Sequence, residues 1–191
     1  MLTVEELKRR NALLDGHFLL SSGLHSEGYV QCAQLFRDPR FAEELGRALA
    51  ARAPVKADLV VSPAMGGLFV GHETAKALGL PHIFTERQDG AMTLRRGFRV
   101  EEGQRFLVVE DVLTTGKSTR EVMEVMVEEG AIPAAALSVI NRGVGAAALG
   151  VPVASLLELV IKTYKPEECP LCRKGVPVVK PGSRPAARGP C

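Results

Sequence analysis

Short apolar runs alternate with longer amphipathic segments along most of the chain. The runs ADLVVSP, LPHIFTE, RFLVVED, PAAALSVIN and VPVASLLEL have the length of strands, and several lack the polar alternation of a half-exposed strand. The segments DPRFAEELGRALAARA, GGLFVGHETAKALG and GKSTREVMEVMVEEG place apolar residues at helical spacing. Because strands buried on both faces are typical of parallel sheets, the pattern predicts an α/β fold with a mostly parallel central sheet flanked by helices.

The two ends of the chain follow different patterns. At the start, TVEELKRRNALL predicts an amphipathic helix with Thr3 as its N-cap and Glu6 in a capping box. After about Tyr164 the apolar pattern fades, and the density of proline and glycine predicts an irregular, partly disordered tail. We expect one domain over residues 1–164, with an N-terminal hood of helix and strand, and a Pro/Gly/Cys-containing tail over residues 165–191.

Composition excludes some classes of function. A chain of 191 residues can bury most of its apolar surface in one domain. The net charge of +2 does not favour binding to nucleic acid or to a membrane surface, and no apolar run has the roughly 18 residues of a transmembrane helix. Without a secretion signal, the four cysteines indicate reduced thiols, so we expect a cytoplasmic protein.

The segment FLVVEDVLTTGKST carries the clearest chemical signal. A predicted buried strand runs directly into Glu110 and Asp111, and TTGKS then leads into a predicted helix. Backbone N–H groups at a helix N-terminus, a glycine and three hydroxyls form a cradle for phosphate. Carboxylates repel phosphate, and they are better suited to accept hydrogen bonds from sugar hydroxyls or to face a divalent metal. Together these groups predict a site for a phosphorylated ribose.

Other interpretations of these motifs are weaker. GKS resembles the end of a P-loop, but that motif needs glycine where Asp111 stands. GVGAAA after a predicted strand imitates a dinucleotide fingerprint, without a well-placed acidic residue about 20 positions later. An ordinary strand, turn and capped helix would explain residues 106–119 without any ligand, but it leaves the adjacent carboxylates repelling each other for no structural return.

Two further loops are expected beside this segment. SPAMGG and NRGVG also follow predicted strands, and ligands in parallel sheets bind beyond the carboxyl ends of the strands. We therefore expect one site built from three loops. RQDGAMTLRRG, between Arg87 and Gly97, is polar and rich in arginine, and predicts an exposed hairpin or mobile loop.

These residues carry a family resemblance. VVEDVLTTGKS resembles the phosphoribosyl-diphosphate signature of the type I phosphoribosyltransferases. With HFLLSSGLHSEGYV, SPAMGG, TERQDGAMTLRRGF and NR, the chain is similar to the branch of that family that acts on orotate. The similarity extends from about Leu13 to Leu159. It implies the type I phosphoribosyltransferase fold and a soluble enzyme of pyrimidine biosynthesis.

The resemblance also implies a reaction and its residues. Ribose 5-phosphate would pass from phosphoribosyl diphosphate to orotate, with Mg²⁺, giving orotidine 5′-phosphate and pyrophosphate in a homodimer. Met65, Gly66 and Gly67 would form a turn near pyrophosphate. The catalytic residues would be Glu110, Asp111, Arg95 and Arg96, and orotate would bind to Thr114 and Arg142. The residues that bind phosphoribosyl diphosphate would be Arg87, Glu110, Asp111, Val112, Leu113, Thr114, Thr115, Gly116, Lys117 and Ser118.

The chain departs from the family pattern where pyrophosphate is handled. The family often has lysine where Ser21 stands, a tyrosine-lysine pair where Met65 and Gly66 stand, and lysine and histidine in the mobile loop. This chain has arginines in that loop and no histidine. A phosphoribosyltransferase for another base stays open, as does a regulator that binds phosphoribosyl diphosphate and nucleic acid.

The cysteines and histidines give a weaker signal. Cys169 and Cys172 have the spacing of half a zinc site, and the candidates for the missing ligands are Cys32, Cys191 or a dimer partner. The four histidines (His17, His25, His72 and His82) have no metal-ligand spacing, so a role on the surface or in the core is expected for each. No residue is assigned as a metal ligand from the sequence.

Overall fold

The computed structural model describes residues 2–20 and 22–181. In chain order the helices are α1 (Val4–Arg9), α2 (Ala33–Phe36), α3 (Pro39–Ala50), α4 (Leu68–Leu78), α5 (Lys117–Glu128), α6 (Ala146–Leu149) and α7 (Pro170–Arg173), with a 3-10 turn at Pro166–Glu168. The strands are β1 (Leu13–Leu19), β2 (His25–Val30), β3 (Leu59–Pro63), β4 (His82–Gln88), β5 (Ala91–Leu94), β6 (Arg105–Leu113), β7 (Ile132–Asn141), β8 (Val153–Glu158) and β9 (Thr163–Tyr164). Ser21 and Cys191, named in the sequence analysis, lie outside the described residues.

The chain divides into two compact units. The large unit comprises Leu35–Leu159 with the first two residues, and the small unit comprises Thr3–Gln34 and the chain from Val160 onward. The large unit contains a six-stranded sheet in the order β5-β4-β3-β6-β7-β8, and only β5 runs antiparallel to its neighbour. This confirms the predicted α/β fold with a mostly parallel sheet.

The order of the strands fixes where a ligand can bind in the large unit. From β3 the chain continues through α4 to β4 on one side, and β6 lies on the other side of β3. From β6 it continues through α5 to β7, away from β3. Neighbouring strands whose connections leave in opposite directions open a crevice at their carboxyl ends. That crevice therefore lies between the loops after β3 and β6.

The core of the large unit explains why its strands lack alternation. Strand β3 is buried along its whole length, and so is most of β6 and β7. Val61, Phe106 and Val108 pack in a core cluster with Val122 and Met126 from α5. Helices cover the sheet, so side chains on both faces of these strands are apolar. Within the described residues, no helix is both long and apolar enough to cross a membrane.

The small unit is built on a three-stranded antiparallel sheet in the order β1-β2-β9. Its first helix confirms the predicted cap, because the Thr3 side chain accepts a hydrogen bond from the Glu6 N–H at 3.2 Å. The helix is shorter than predicted. It ends at Arg9, the left-handed Asn11 (φ 56°) follows, and the apolar pair at positions 13 and 14 begins strand β1.

The prediction of an irregular tail was wrong for residues 165–181. Two prolines of this segment stand in the first turns of the 3-10 turn and of α7, where a missing N–H costs nothing. Val179 forms a bridge with Phe18 of β1, and its N–H donates to the His17 carbonyl at 2.8 Å. The described part of the tail is thus an ordered part of the small unit.

The same packing changes the interpretation of two histidines. From the sequence, a role on the surface or in the core is expected for His17 and His25. In the structure both are buried beside Cys169 and Cys172, because strands β1 and β2 and the turn at α7 meet at one place in the small unit.

The core of the large unit makes a direct stability prediction on helix α5. Met126 is fully buried, whereas the next residue, Val127, is half exposed. We expect Met126→Ala to lower the free energy of unfolding by about 2–5 kcal/mol, because it leaves a cavity under the sheet. Val127→Ala, the matched control, should change it by less than about 0.5 kcal/mol. Denaturant titration followed by circular dichroism measures both, and equal losses would contradict the assignment of this core face.

Candidate active site

Strand β6 carries its two carboxylates into the crevice of the large unit. Glu110 is buried at 7% exposure, and Asp111, the next residue, is partly buried. Burial raises the pKa of Glu110 well above its usual value, and the neighbouring Asp111 charge raises it further. Burial also raises the pKa of Asp111, although the Val112 N–H, which donates to its Oδ1 at 2.8 Å, opposes the rise. The pair therefore favours a ligand that supplies protons or positive charge to it.

The turn after β6 has the form expected of an anion cradle. Gly116 lies in the left-handed region at φ 71° and is the cap residue before α5. A Cβ there would come within 2.9 Å of Leu149 Cδ2, so the close turn requires glycine. Thr114, Thr115 and Lys117 are exposed around it. The Lys117 N–H donates to Thr115 Oγ1 at 3.3 Å, which holds the turn at the positive end of α5.

One residue of the predicted cradle has a different role. Leu113 is 1% exposed, and its side chain belongs to the core cluster of the large unit. Its carbonyl oxygen accepts a hydrogen bond from the Arg142 N–H at 2.8 Å. Leu113 therefore anchors the turn from below, and any contact with a ligand would have to come from its backbone.

The loop after β3 approaches the carboxylates closely. A Cβ on Gly66 would lie 2.7 Å from Asp111 Oδ1, and one on Gly67 would lie 2.7 Å from the carbonyl oxygen of Val109. Only glycine allows the backbone to come this near to the carboxylate. The peptide bond between Ala64 and Met65 in this loop is cis. The structure thus brings the SPAMGG loop beside the end of β6, as the sequence predicted.

The loop after β7 completes the group of three. Asn141 Oδ1 accepts hydrogen bonds from the N–H groups of Gly143 (3.1 Å) and Val144 (2.8 Å), and its Nδ2 donates to Glu158 Oε1 at 3.2 Å. These contacts fix the turn that presents Arg142. The Arg142 N–H donates to the carbonyl oxygen of Leu113, the residue before Thr114. This bond holds the backbone of Arg142 beside Thr114. The two residues predicted to bind orotate are therefore brought together.

Arg142 is half-buried beside this loop. Burial lowers the pKa of its guanidinium from the ordinary value, but an arginine remains charged at neutral pH. A charged fork in a partly desolvated position binds a planar carboxylate more strongly than the same group in open water.

The predicted hairpin is confirmed, and its arginines separate into two groups. Strands β4 and β5 pair from Thr85 with Leu94 to Gln88 with Ala91. Arg87 pairs with Glu121 of α5, which also lies 3.8 Å from Lys117 Nζ, so Arg87 lies near the cradle helix. Arg95 and Arg96 instead pair with Glu86 of the same hairpin, at 3.5 and 3.0 Å. In the described contacts these two do not reach the three loops.

Three residues around the site were missed by sequence reasoning. Arg120 donates from Nη1 to the carbonyl oxygens of Thr115 and Ala148, both at 3.3 Å, and links the cradle to α6. Glu121 holds Arg87 and Lys117 together. Asn141 orders the loop of Arg142. Only Glu121 had a local signal, its i,i+4 spacing from Lys117.

The arrangement combines three chemical functions. A buried carboxylate pair can accept hydrogen bonds from neighbouring hydroxyls, a helix N-terminus with exposed hydroxyls can hold phosphate, and a half-buried arginine can bind a carboxylate. All three belong to the large unit and to adjacent loops.

Residues 32–162 match the model of the phosphoribosyl transferase domain family. An orotate phosphoribosyltransferase of Caldicellulosiruptor bescii is 48% identical over 182 residues, covering 95% of this chain and 96% of that protein. The orotate phosphoribosyltransferase of Thermotoga maritima is also 48% identical over 182 residues, covering 94% and 97% of the two chains.

Solved structures give the same fold. The orotate phosphoribosyltransferase of Aeropyrum pernix superposes with a TM-score of 0.66 at 30% identity, covering 81% of this chain and 92% of that one. An adenine phosphoribosyltransferase of Thermoanaerobacter pseudethanolicus superposes with a TM-score of 0.65 at 18% identity, which shows a shared fold alone. By sequence and by structure, the chain belongs to the phosphoribosyl transferase family and, within it, to the orotate phosphoribosyltransferases.

Proposed function

We propose that this protein transfers ribose 5-phosphate from phosphoribosyl diphosphate to orotate, releasing pyrophosphate and forming orotidine 5′-phosphate. One observation carries the proposal: the carboxylate pair, the anion cradle and Arg142 lie on adjacent loops of one sheet edge. The names of the close relatives support the choice of orotate. This reaction belongs to pyrimidine biosynthesis.

The ribose phosphate would be held by β6 and the turn that follows it. The N–H groups and hydroxyls from Thr114 to Ser118 receive the 5′-phosphate at the N-terminus of α5. The carboxylates of Glu110 and Asp111 then accept hydrogen bonds from the ribose hydroxyls. Burial raises the pKa of both carboxyl groups, so their negative charge is unfavourable in the ligand-free protein. The hydroxyl hydrogens of the ribose stabilise that charge.

Orotate would be oriented by Arg142 and Thr114. Orotate carries a carboxylate, whereas adenine and hypoxanthine do not, so a half-buried arginine favours orotate over those bases. The Arg142 N–H fixes its backbone to the end of β6, and this supports an acceptor base bound next to the ribose. Positioning of the two reactants supplies much of the catalysis in such a transfer.

The remaining chemistry concerns charge. Cleavage of the bond to pyrophosphate leaves positive charge on the ribose, and the buried carboxylates lie where that charge develops. The hard oxygens of Glu110 and Asp111 also fit Mg²⁺ bound with the substrate. When bound, the ion would neutralise the charge that the leaving pyrophosphate acquires.

We also propose that the protein acts as a homodimer. The resemblance implies catalytic roles for Arg95 and Arg96, yet in the chain itself they pair with Glu86. A hairpin that serves the neighbouring protomer's site accounts for arginines placed away from their own three loops. Arg87 lies nearer to the cradle through Glu121 and would act within its own site. The described cysteines form no disulfide, which suits a cytosolic enzyme.

The direct test follows the absorbance of orotate with phosphoribosyl diphosphate and Mg²⁺, together with a pyrophosphate assay. We expect loss of orotate with equimolar pyrophosphate, and no turnover of adenine or hypoxanthine. Asp111→Asn should lower kcat/KM by about 10- to 100-fold, since it weakens a charged hydrogen bond at the ribose. Glu124→Gln, on the exposed face of α5, is the matched control and should retain full activity. Turnover of a purine base in place of orotate would sink the proposal.

Arg142 allows a separate test of the acceptor site. We expect Arg142→Ala to raise the KM for orotate by at least about 30-fold and to leave the KM for phosphoribosyl diphosphate near its original value. Arg142→Lys should lie between, because lysine keeps the charge and loses the planar fork. Steady-state kinetics with each substrate varied in turn measure the split. An equal rise in both constants would contradict a role specific to the base.

The raised pKa of Glu110 predicts that the stability of the ligand-free protein depends on pH. The folded chain binds this proton more tightly than the unfolded chain, so the stability from the protonated group is present at low pH and is lost as the pH rises through the raised pKa. Glu110→Gln stays neutral. Its melting temperature should therefore exceed that of the original protein by an amount that grows from about pH 5 until the pH passes the raised pKa of Glu110, by about 2–4 °C for each kcal/mol.

Binding of phosphoribosyl diphosphate gives this test its second readout. Glu110→Gln should be more stable at high pH and yet bind phosphoribosyl diphosphate more weakly, because the amide cannot accept as a charged carboxylate does. Glu124→Gln should show neither effect. A melting difference that stays constant across the pH series would refute the assigned pKa direction.

A further inference from the structure

The small unit gathers four metal-binding side chains that the proposed reaction does not use. Nδ1 or Nε2 of His17 and His25 and Sγ of Cys169 and Cys172 all lie within 4.8 Å of one another. His17, His25 and Cys169 are buried, and Cys172 is partly buried. We propose that these four residues bind one Zn²⁺ ion as a structural Cys₂His₂ site.

Three of the distances between these atoms match a tetrahedral zinc shell. Zn–S bonds of about 2.3 Å and Zn–N bonds of about 2.0–2.1 Å place neighbouring ligand atoms about 3.3–3.8 Å apart. Cys169 Sγ lies 3.5 Å and Cys172 Sγ lies 3.8 Å from His17 Nε2, and Cys172 Sγ lies 3.3 Å from His25 Nδ1. The two histidine nitrogens, at 2.8 Å, need to separate by about half an ångström around an ion.

Local structure presents each pair to the common centre. His17 lies in a bulge of β1, where the register against β2 shifts between Asp15 and Phe18. The two cysteines flank the first turn of α7, and the N–H of Arg173 donates to the Cys169 carbonyl at 3.2 Å. Gly175 follows in the left-handed region at φ 68°, and its N–H donates to the Cys172 carbonyl at 2.9 Å. This is a tight turn that holds two thiols three residues apart on one side.

A hydrogen bond outside the shell prepares one ligand. His17 Nδ1 lies 2.7 Å from the carbonyl oxygen of Val176, which has no proton to give. His17 must therefore donate from Nδ1, and its Nε2 is left with the lone pair that a metal requires. Metal-ligating histidines commonly have such a carbonyl partner on the other nitrogen. The nitrogen that faces the cysteines is thus already in the ligating form.

Two alternatives use the same residues without zinc. His25 could donate from Nδ1 to His17 Nε2, which would make a polar cluster with two thiols beside it. Cys169 and Cys172 could also form a redox disulfide, which would leave the two histidines without a function. Zinc accounts for all four side chains at once. No disulfide joins the cysteines of the described residues, so their sulfurs are available as thiolate ligands.

The choice of zinc follows from the donor set. Two thiolates with two imidazoles in a tetrahedron are typical of Zn²⁺. A two-iron cluster needs its histidines and cysteines on different metal ions, whereas here His17 Nε2 approaches both sulfurs. Since four protein ligands complete the shell, no position remains for a substrate, and the role is structural.

The small unit also has a reason to need a metal. Its buried apolar side chains are few among the described residues, and those of Leu7, Ala12, Leu13 and Phe18 are the main ones outside cysteine. Small units with little core depend on disulfides or metals for stability. The site would join residues 152 positions apart in the chain, which ties the C-terminal segment to the hairpin of β1 and β2.

Metal analysis of the untagged full-length protein, purified without added metal, tests the proposal. We expect elemental mass spectrometry to find one zinc ion per chain. Replacement by Co²⁺ should give the visible absorption of tetrahedral cobalt with thiolate charge transfer. A reduced protein that contains no zinc and takes up no cobalt overturns the proposal, as does iron in place of zinc or a Cys169–Cys172 disulfide in the protein as isolated.

Variants locate the metal within the chain. Cys172→Ser and His25→Ala should lose zinc to a chelator that leaves the original protein loaded. Cys32→Ser replaces a buried thiol of the same unit outside the cluster, and His72→Ala replaces a histidine of the large unit, so both should keep their zinc. If the ligand variants fail to fold, chelation of the original protein still decides. Zinc removal should lower its melting temperature, and retention of zinc by Cys172→Ser would refute the assigned ligands.

Discussion

Two carboxylates, adjacent in the chain at the end of a buried strand, are the constraint on which the large unit depends. Glu110 and Asp111 are placed where burial and mutual repulsion raise the pKa of the first, and burial raises that of the second. Nothing in the sheet requires acidic residues there, since Val108 and Val109 just before them fill the core without cost. The pair becomes favourable when hydroxyl hydrogens or positive charge approach it. The close passage of Gly66 beside Asp111 and the left-handed turn at Gly116 both leave room for that approach.

The sheet and the three loops could be predicted because their signals are local. Each parallel strand of the large unit contains an apolar run, each long helix repeats at 3.6 residues, and the carboxyl ends of parallel strands share one edge. The sequence therefore indicated which loops meet. The actual contacts could not be predicted, because they depend on pairs distant in sequence. The Arg142 N–H that binds Leu113 and the Arg120 side chain that bridges two loops are examples. The pairing of Arg95 and Arg96 with Glu86 also depends on hairpin register, which polarity alone does not fix.

The small unit was harder to predict for a related reason. The pattern predicts helix α1 through Leu14 because apolar residues can serve either a helix or a strand, and only the left-handed Asn11 separates the two elements. Proline in the C-terminal segment was taken as a sign of irregular structure, although proline also begins helices. The four clustered side chains come from a bulged hairpin and from a turn far along the chain. Spacing along the sequence identifies only the cysteine pair, because the histidines reach the cluster through the bulged hairpin.

Each unit contains a cluster of ionisable side chains, and the two clusters differ in their exposure to solvent. Each unit holds ionisable side chains next to one another away from water. This costs free energy until a ligand with complementary charge or hydrogen-bonding groups binds. At the end of β6 the neighbouring turn keeps Thr114, Thr115 and Lys117 exposed, so a ligand can enter and leave, as a substrate must. Around His17 and Cys169 the ligand atoms face one another, and three of the four residues are buried. That closure suits an ion that remains bound through folding and turnover. The more exposed cluster thus suits catalysis, and the more buried cluster suits a structural metal ion.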